Sequence, residues 1–186
     1  MTPMDGGEDT DNVESEAVGD EVRWLTPKER RAWLSVVATH MQLMPALEAD
    51  LQREGPVSFF EYQVLAMLSE NNGPLPMSEL AARTNSSLSR LSHVARKLEA
   101  RAWIRRRPSP EDARVTLAEM TDRGMDEVVR IAPHHVASVR ACLLDVLDDE
   151  DLEDIGRIGA KILGHLEPGH WVFRDPVLVD EGLTPS

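Results

Sequence analysis

The stretch R-R-P-S-P-E-D-A-R-V-T-L, residues 106–117, decides the fold of this chain. Trp103, Ile104 and Arg105 lead into it, and the alternating Arg114-Val115-Thr116-Leu117 closes it. Period two on either side of a Pro-Ser-Pro-Glu-Asp turn predicts a β-hairpin that is basic on both limbs. Upstream, residues 88–102 place Leu88, Leu91, Ala95 and Leu98 at spacings of three and four, which defines a helix with one buried face. The other face carries Ser86, Arg90, His93 and Lys97, donors and cations in place of the mixed charges of an ordinary solvated helix. A shorter helical pattern from Met77 precedes it, and Asn85, Ser86 and Ser87 between the two supply turn chemistry and an N-cap. Helix, short turn, helix and basic hairpin in that order predict a winged helix-turn-helix, whose second helix enters the major groove while the hairpin reaches phosphates or the minor groove. The expected DNA contacts are Ser86, Ser87, Ser89, Arg90, His93 and Lys97 on or before the helix, and Arg106 and Arg107 on the hairpin. For Ser86 and Ser87, capping alone is the competing role, since helix N-termini both cap and bind phosphate.

S-E-L-A-A-R (78–83), S-x-S-R-L-S-H-V-A-R-K-L-E (87–99) and I-R-R-R-P-S-P-E-D-A-R-V-T-L-A-E-M-T-D-R-G (104–124) together resemble the DNA-binding core of the multiple antibiotic resistance regulator (MarR) family. The similarity is close over this core and extends by helix pattern from Leu25 to Leu166. Its most specific element is the wing signature D-x-R followed by T-x-x-G, here Asp112, Arg114, Thr121 and Gly124. The resemblance implies that Arg114 enters the minor groove and that Asp112 helps hold it there. Ala113 stands where many relatives carry a further basic residue, which implies a weaker grip on the backbone. It also implies terminal helices that interleave into a two-fold homodimer, and a small aromatic or anionic effector between those helices and the winged motif. Trp33, His40 and Tyr62 are the candidate pocket residues, with a plain core role as the alternative.

A net charge of −13 over 186 residues argues at face value against nucleic acid, which selects basic domains. Its distribution reverses that. Residues 1–22 hold eight acids and no Lys or Arg, whereas residues 77–124 hold ten basic and six acidic residues, a local 10 − 6 = +4. A basic head on an acidic body suits electrostatic steering to DNA.

Residues 1–22 read as a disordered acidic tail, too poor in apolar residues to repay the entropy of ordering. Residues 23–57 form a first dimerisation helix, opened by the capping box Thr26-Pro27-Lys28-Glu29 and striped by Trp33, Val37, His40, Met44, Leu47 and Leu51, with a bend at Pro45. Residues 58–121 are the winged domain, beginning with the capping box Ser58 to Glu61. Residues 122–167 hold two more dimerisation helices, striped by Met125, Val129, Ala132, Val136, Val139, Leu143 and Val146, then by Leu152, Ile155, Gly159, Ile162 and Leu166. A compact winged helix does not need these three helices, so they are expected to pair with those of a second copy. Residues 168–186 form an extension without an assigned place.

The lone Cys142 excludes an internal disulfide and reads as a buried structural thiol. His134 and His135 diverge by about 100° on a helix, so no metal is expected. Neither a signal-peptide pattern nor a run near the ~20 apolar residues of a membrane span is visible, so the cytoplasm is the expected location. No nucleophile elbow, phosphate loop or paired carboxylates suggest an enzyme or a cofactor. The expected protein is a mainly α-helical homodimer that binds a near-palindromic double-stranded DNA operator, a ligand-released repressor. Its rival is a winged-helix protein-interaction module without DNA affinity.

Overall fold

The computed structural model describes residues 22–71 and 73–175, in two compact units divided after Val37. The acidic tail to residue 21 and the extension beyond Asp175 lie outside the described residues. The first unit contributes the start of helix α1 (Pro27–Glu54). Its capping box forms as expected: Thr26 N donates to Glu29 Oε2 at 2.7 Å and Glu29 N to Thr26 Oγ1 at 3.3 Å. Trp24, Trp33, Leu34 and Val36 are all exposed in this unit.

The second unit holds the rest of α1, which runs on through Pro45, then α2 (Phe59–Glu70), strand β1 (Leu75–Pro76), α3 (Met77–Arg83), α4 (Leu88–Ala100), β2 (Ile104–Pro108), β3 (Thr116–Met120), α5 (Asp122–Cys142) and α6 (Asp149–Leu166). Three strands form one antiparallel sheet in the order β1-β3-β2, with Ile104 opposite Met120 and Pro108 opposite Thr116. The predicted hairpin is therefore present, but its second strand starts at Thr116, two residues later than expected. Arg114 and Val115 belong to the tip, where Ser109 N donates to Val115 O and Val115 N to Asp112 O. β1 has no signature in the sequence, because two residues are too few to show a period.

The core is the winged motif itself. Leu65, Leu80, Leu91, Leu98, Val57, Val64 and Ile131 are almost fully buried and pack with Trp103, Ile104 and Ala118. α2 is pinned by the Ser58–Glu61 capping box and by Glu48, whose Oε2 accepts from Phe59 N at 2.6 Å.

The turns around α4 set its angle. At the end of α3, Asn85 takes φ +45° while Asn85 N donates to Ala82 O and Ser86 N to Ala81 O, a Schellman closure. Asn tolerates the left-handed region because its short amide can bond locally. The same closure ends α4, with Ala102 N donating to Glu99 O and Trp103 N to Leu98 O, but here the left-handed residue, φ +58°, is an alanine. This stops the helix at Ala100, two residues short of the predicted end. Ala102→Gly is expected to raise stability by ~1 kcal/mol by relieving the Cβ–carbonyl clash of that conformation, measurable as a higher thermal midpoint.

Two expectations are corrected. The helical period puts Leu88 on the buried face of α4, yet it is 53% exposed. Cα–Cβ bonds tilt toward a helix N-terminus, so the side chain of the first residue projects past the helix end and off the core. Cys142 is exposed instead of buried, because the last turns of α5 extend beyond the winged core and no described residue covers that side.

α5 carries two apolar faces where its sequence pattern suggests one. Gly124, Val128 and Ile131 are buried against the core, while the predicted stripe of Met125, Val129 and Val136 is exposed. α6 opens on a capping box of Asp148 and Asp151 and buries only Ala160 among its residues. The extension beyond α6 finds a place: a 3-10 turn at Trp171–Arg174 lies against the winged motif, with the Arg83 guanidinium 5.8 Å from the Trp171 ring centre. Burial, and then the charge of Asp175, push the Glu70 carboxyl above the usual range, with Arg83 opposing.

Candidate nucleic-acid interface

α4 presents Ser89, Arg90, His93, Arg96 and Lys97 to solvent, while Leu91, Val94, Ala95 and Leu98 on its other side are buried. The predicted donor and cation face is thus an exposed surface on a helix clamped into a rigid core. Ser87 caps the helix by accepting from Arg90 N at 3.2 Å. Ser86 is half-buried, with its hydroxyl 3.1 Å from that of the buried Thr84. Both serines therefore have structural work at the turn.

Arg90 is not a free side chain. Its guanidinium lies over the ring of Phe60, on α2, at 4.1 Å from the ring centre. Stacking on an aromatic face holds the planar fork in one orientation and leaves its edge N–H groups available. Sequence pattern does not reveal Phe60, because a residue on one helix says nothing about which side chain of another lies beneath it.

The three consecutive arginines of the hairpin divide by strand period. Arg105 and Arg107 share one face, and their Nε atoms donate to Glu119 Oε2 at 2.9 and 3.3 Å. Glu119 is held below the usual carboxylate range by Arg105 first and then Arg107. Arg106 turns the other way and clasps Glu99 of α4: its backbone N donates to Oε1 at 2.9 Å, and Nε and Nη2 donate to Oε2 at 2.8 and 2.6 Å. Two charge-assisted bonds from the fork and a third from the backbone N fix the hairpin on the helix. Part of the local positive charge in the sequence is taken up by these internal pairs.

At the tip, Asp112 and Arg114 are both exposed, and Asp112 Oδ1 accepts from the Arg114 backbone N at 2.9 Å. The carboxylate shapes the loop through the main chain and leaves the guanidinium free of it. A groove of about 350 Å³ runs between the helix pair and the tip, lined by Ser78, Leu88, Ser92, Arg106 and Arg114 among others.

The root of the hairpin explains the T-x-x-G element. The Thr121 hydroxyl lies 2.7 Å from Ala102 O and 2.9 Å from Trp103 O, and accepts from Gly124 N at 3.0 Å. Hairpin, α4 end and α5 start meet at these two residues.

The effector candidates do not resemble one another in setting. Trp33, in the first unit, is 58% exposed. His40 is exposed on α1. Tyr62 is buried in the core, its ring 4.5 Å from that of His135, and burial raises its phenol above the ordinary value. His135 is held below the ordinary imidazole range by burial, and its Nδ1 has no hydrogen-bond partner among the described residues. His134 faces Glu54 instead, at 3.6 Å.

Comparison with known proteins agrees with this architecture. The MarR family model matches residues 55–115. The crystal structure of Sco3205, a MarR family transcriptional regulator from Streptomyces coelicolor in complex with DNA, superposes with a TM-score of 0.77 at 36% identity, over 81% of this chain and 94% of that one. AbsC, a MarR family transcriptional regulator from the same organism, gives 0.76 at 37% identity, over 79% and 99%. The transcriptional repressor MprA of Escherichia coli K12 is 27% identical over 138 residues, 72% of this chain and 77% of the repressor.

Proposed function

We propose, from the premise that this chain belongs to the MarR family, that it works as a homodimer that grips a near-palindromic operator with α4 in the major groove and the β2–β3 tip along the adjacent backbone or minor groove. The chain is a DNA-binding transcriptional regulator; the dimer, the operator geometry and the residues of contact are the proposal. The observation that carries it is the exposed donor and cation face of α4, on a helix held in the core, beside an exposed Arg114 at the hairpin tip.

Each residue then takes a role. Arg90, His93 and Ser89 face base edges, Lys97 meets phosphate, and Arg114 reaches from the tip. Arg106 and Arg107 position the hairpin, while Ser86 and Ser87 order the turn that aims α4. The second copy covers the exposed apolar residues of α5 and α6. Repression is the mode named for the Escherichia coli relative, and we assign it here, acting in the cytoplasm and without catalysis. No described helix is long and apolar enough to cross a membrane.

Release by a small aromatic or anionic ligand completes the proposal. Supporting it is a groove of about 700 Å³ bordered by Gln52, Val57, Lys97 and Arg101. Arg101, whose guanidinium lies over the Trp103 ring at 4.8 Å, has a buried Nη1 without a hydrogen-bond partner among the described residues.

Two substitutions separate the contacts. Arg114→Ala should weaken every DNA sequence by roughly 1–3 kcal/mol and lower the salt slope by about one unit. Arg90→Ala should instead change which sequences are preferred. Mobility shifts at two salt concentrations, with binding-site selection for each variant, measure both. An unchanged consensus for Arg90→Ala would remove direct readout by that residue, and salt-independent binding would remove the phosphate contacts altogether.

A further inference from the structure

Leu88 is the one large apolar residue of α4 that the core does not bury, and it stands at the first position of that helix. We propose that Leu88 reads sequence by packing on the 5-methyl group of a thymine in the major groove, an inference that rests on the DNA-reading function above.

Its neighbours Leu91 and Leu98 are fully buried, whereas Leu88 is 53% exposed. The cap of α4 comes from Ser87, and an exposed leucine at the first helical position adds little burial. The N-terminal residues of a recognition helix are those that meet base edges. Leu88 also lies in a groove and not on open surface, beside Met77 and Val115 as well as Ser78, Ser92, Arg106 and Arg114. Hydroxyls and cations there suit phosphates and polar base edges. A leucyl group among them suits the one methyl that the major-groove edges present, that of thymine. Cytosine in the same place would offer an amino donor that leucine cannot satisfy, so the contact discriminates as well as attracts.

The test starts from random DNA. A binding site is first selected from random duplexes with the full chain. Each thymine of the half-site is then replaced by deoxyuridine, in both half-sites together, which removes the methyl and keeps the pairing. Wild type, Leu88→Ser and Leu88→Met are titrated against each duplex, with circular dichroism to verify that the variants fold alike. Removing one buried methyl is worth roughly a fourfold change in affinity per half-site, roughly 15-fold for two. The expected result is one thymine position at which deoxyuridine weakens wild type and Leu88→Met by about that factor and leaves Leu88→Ser unaffected. Leu88→Ser should bind the thymine duplex as weakly as wild type binds the deoxyuridine one, with an unchanged salt slope. A consensus half-site without thymine, no thymine that responds, or a Leu88→Ser protein that responds as wild type does, each overturns the assignment to Leu88 and leaves DNA binding intact. Failure to select any consensus removes sequence reading itself, and Leu88 with it.

Discussion

Gly124→Ala is expected to destabilise the protein by ~3 kcal/mol and to lower the thermal midpoint by roughly 6–12 °C. A glycine inside a helix usually costs ~1 kcal/mol relative to alanine, so the ordinary expectation has the opposite sign. Geometry decides. A Cβ on Gly124 would sit 2.0 Å from Trp103 O and 2.6 Å from Met120 Sδ. The sulfur could move, but the carbonyl could not, because it accepts from Thr121 N at 3.0 Å and has the Thr121 hydroxyl at 2.9 Å. The substitution must therefore push α5 off the root of the hairpin. Equal thermal midpoints for Gly124→Ala and wild type would show that the hairpin root does not hold α5.

The second large effect concerns the terminal helices. α6 has 18 residues and buries only Ala160, while Ile155, Ile158 and Ile162 are 45–49% exposed. Most of a helix's stability in a protein comes from packing of its apolar face, and contiguous apolar surface marks an interface. Ile155→Asp with Ile162→Asp, two turns apart on one face, should convert a dimer at micromolar concentration into monomers. Because two linked half-site contacts exceed one by 10²–10⁴ in affinity, operator binding should fall by at least about 100-fold. Sedimentation and mobility shift on the same samples measure the two losses together. A double variant that stays dimeric and binds as wild type does would contradict pairing through α6. The melt of the variant reports in addition whether the winged core stands without its partner, as obligate dimers often cannot.

Much of the winged motif is legible in the sequence alone. Period two around Pro-Ser-Pro-Glu-Asp locates the hairpin, and the capping boxes at Thr26 and Ser58 locate two helix starts, because these are local signals. What is not legible depends on neighbours distant in sequence. The three arginines form one basic run in the sequence, but strand period sends Arg105 and Arg107 to Glu119 and Arg106 to Glu99. Nothing local marks Arg90 as held, and yet Phe60 lies beneath it. Leu88 satisfies the helical period but fails the burial that period implies, since periodicity assigns a face and not a helix end. On α5, the stripe beginning at Met125 hides a second one through Gly124, Val128 and Ile131, spaced four and three. Both are in the sequence, and only the structure shows which one the chain buries for itself.

The central claim is that two copies present α4 and the β2–β3 tip to one operator in symmetric fashion. Hydroxyl-radical footprinting of the full chain on a selected site, at low and moderate salt, tests it most directly. Two protected half-sites centred about 34 Å apart, with affinity falling steeply as salt rises, are the predicted result. Protection of a single half-site, or equal binding to random DNA at both salt concentrations, would contradict it.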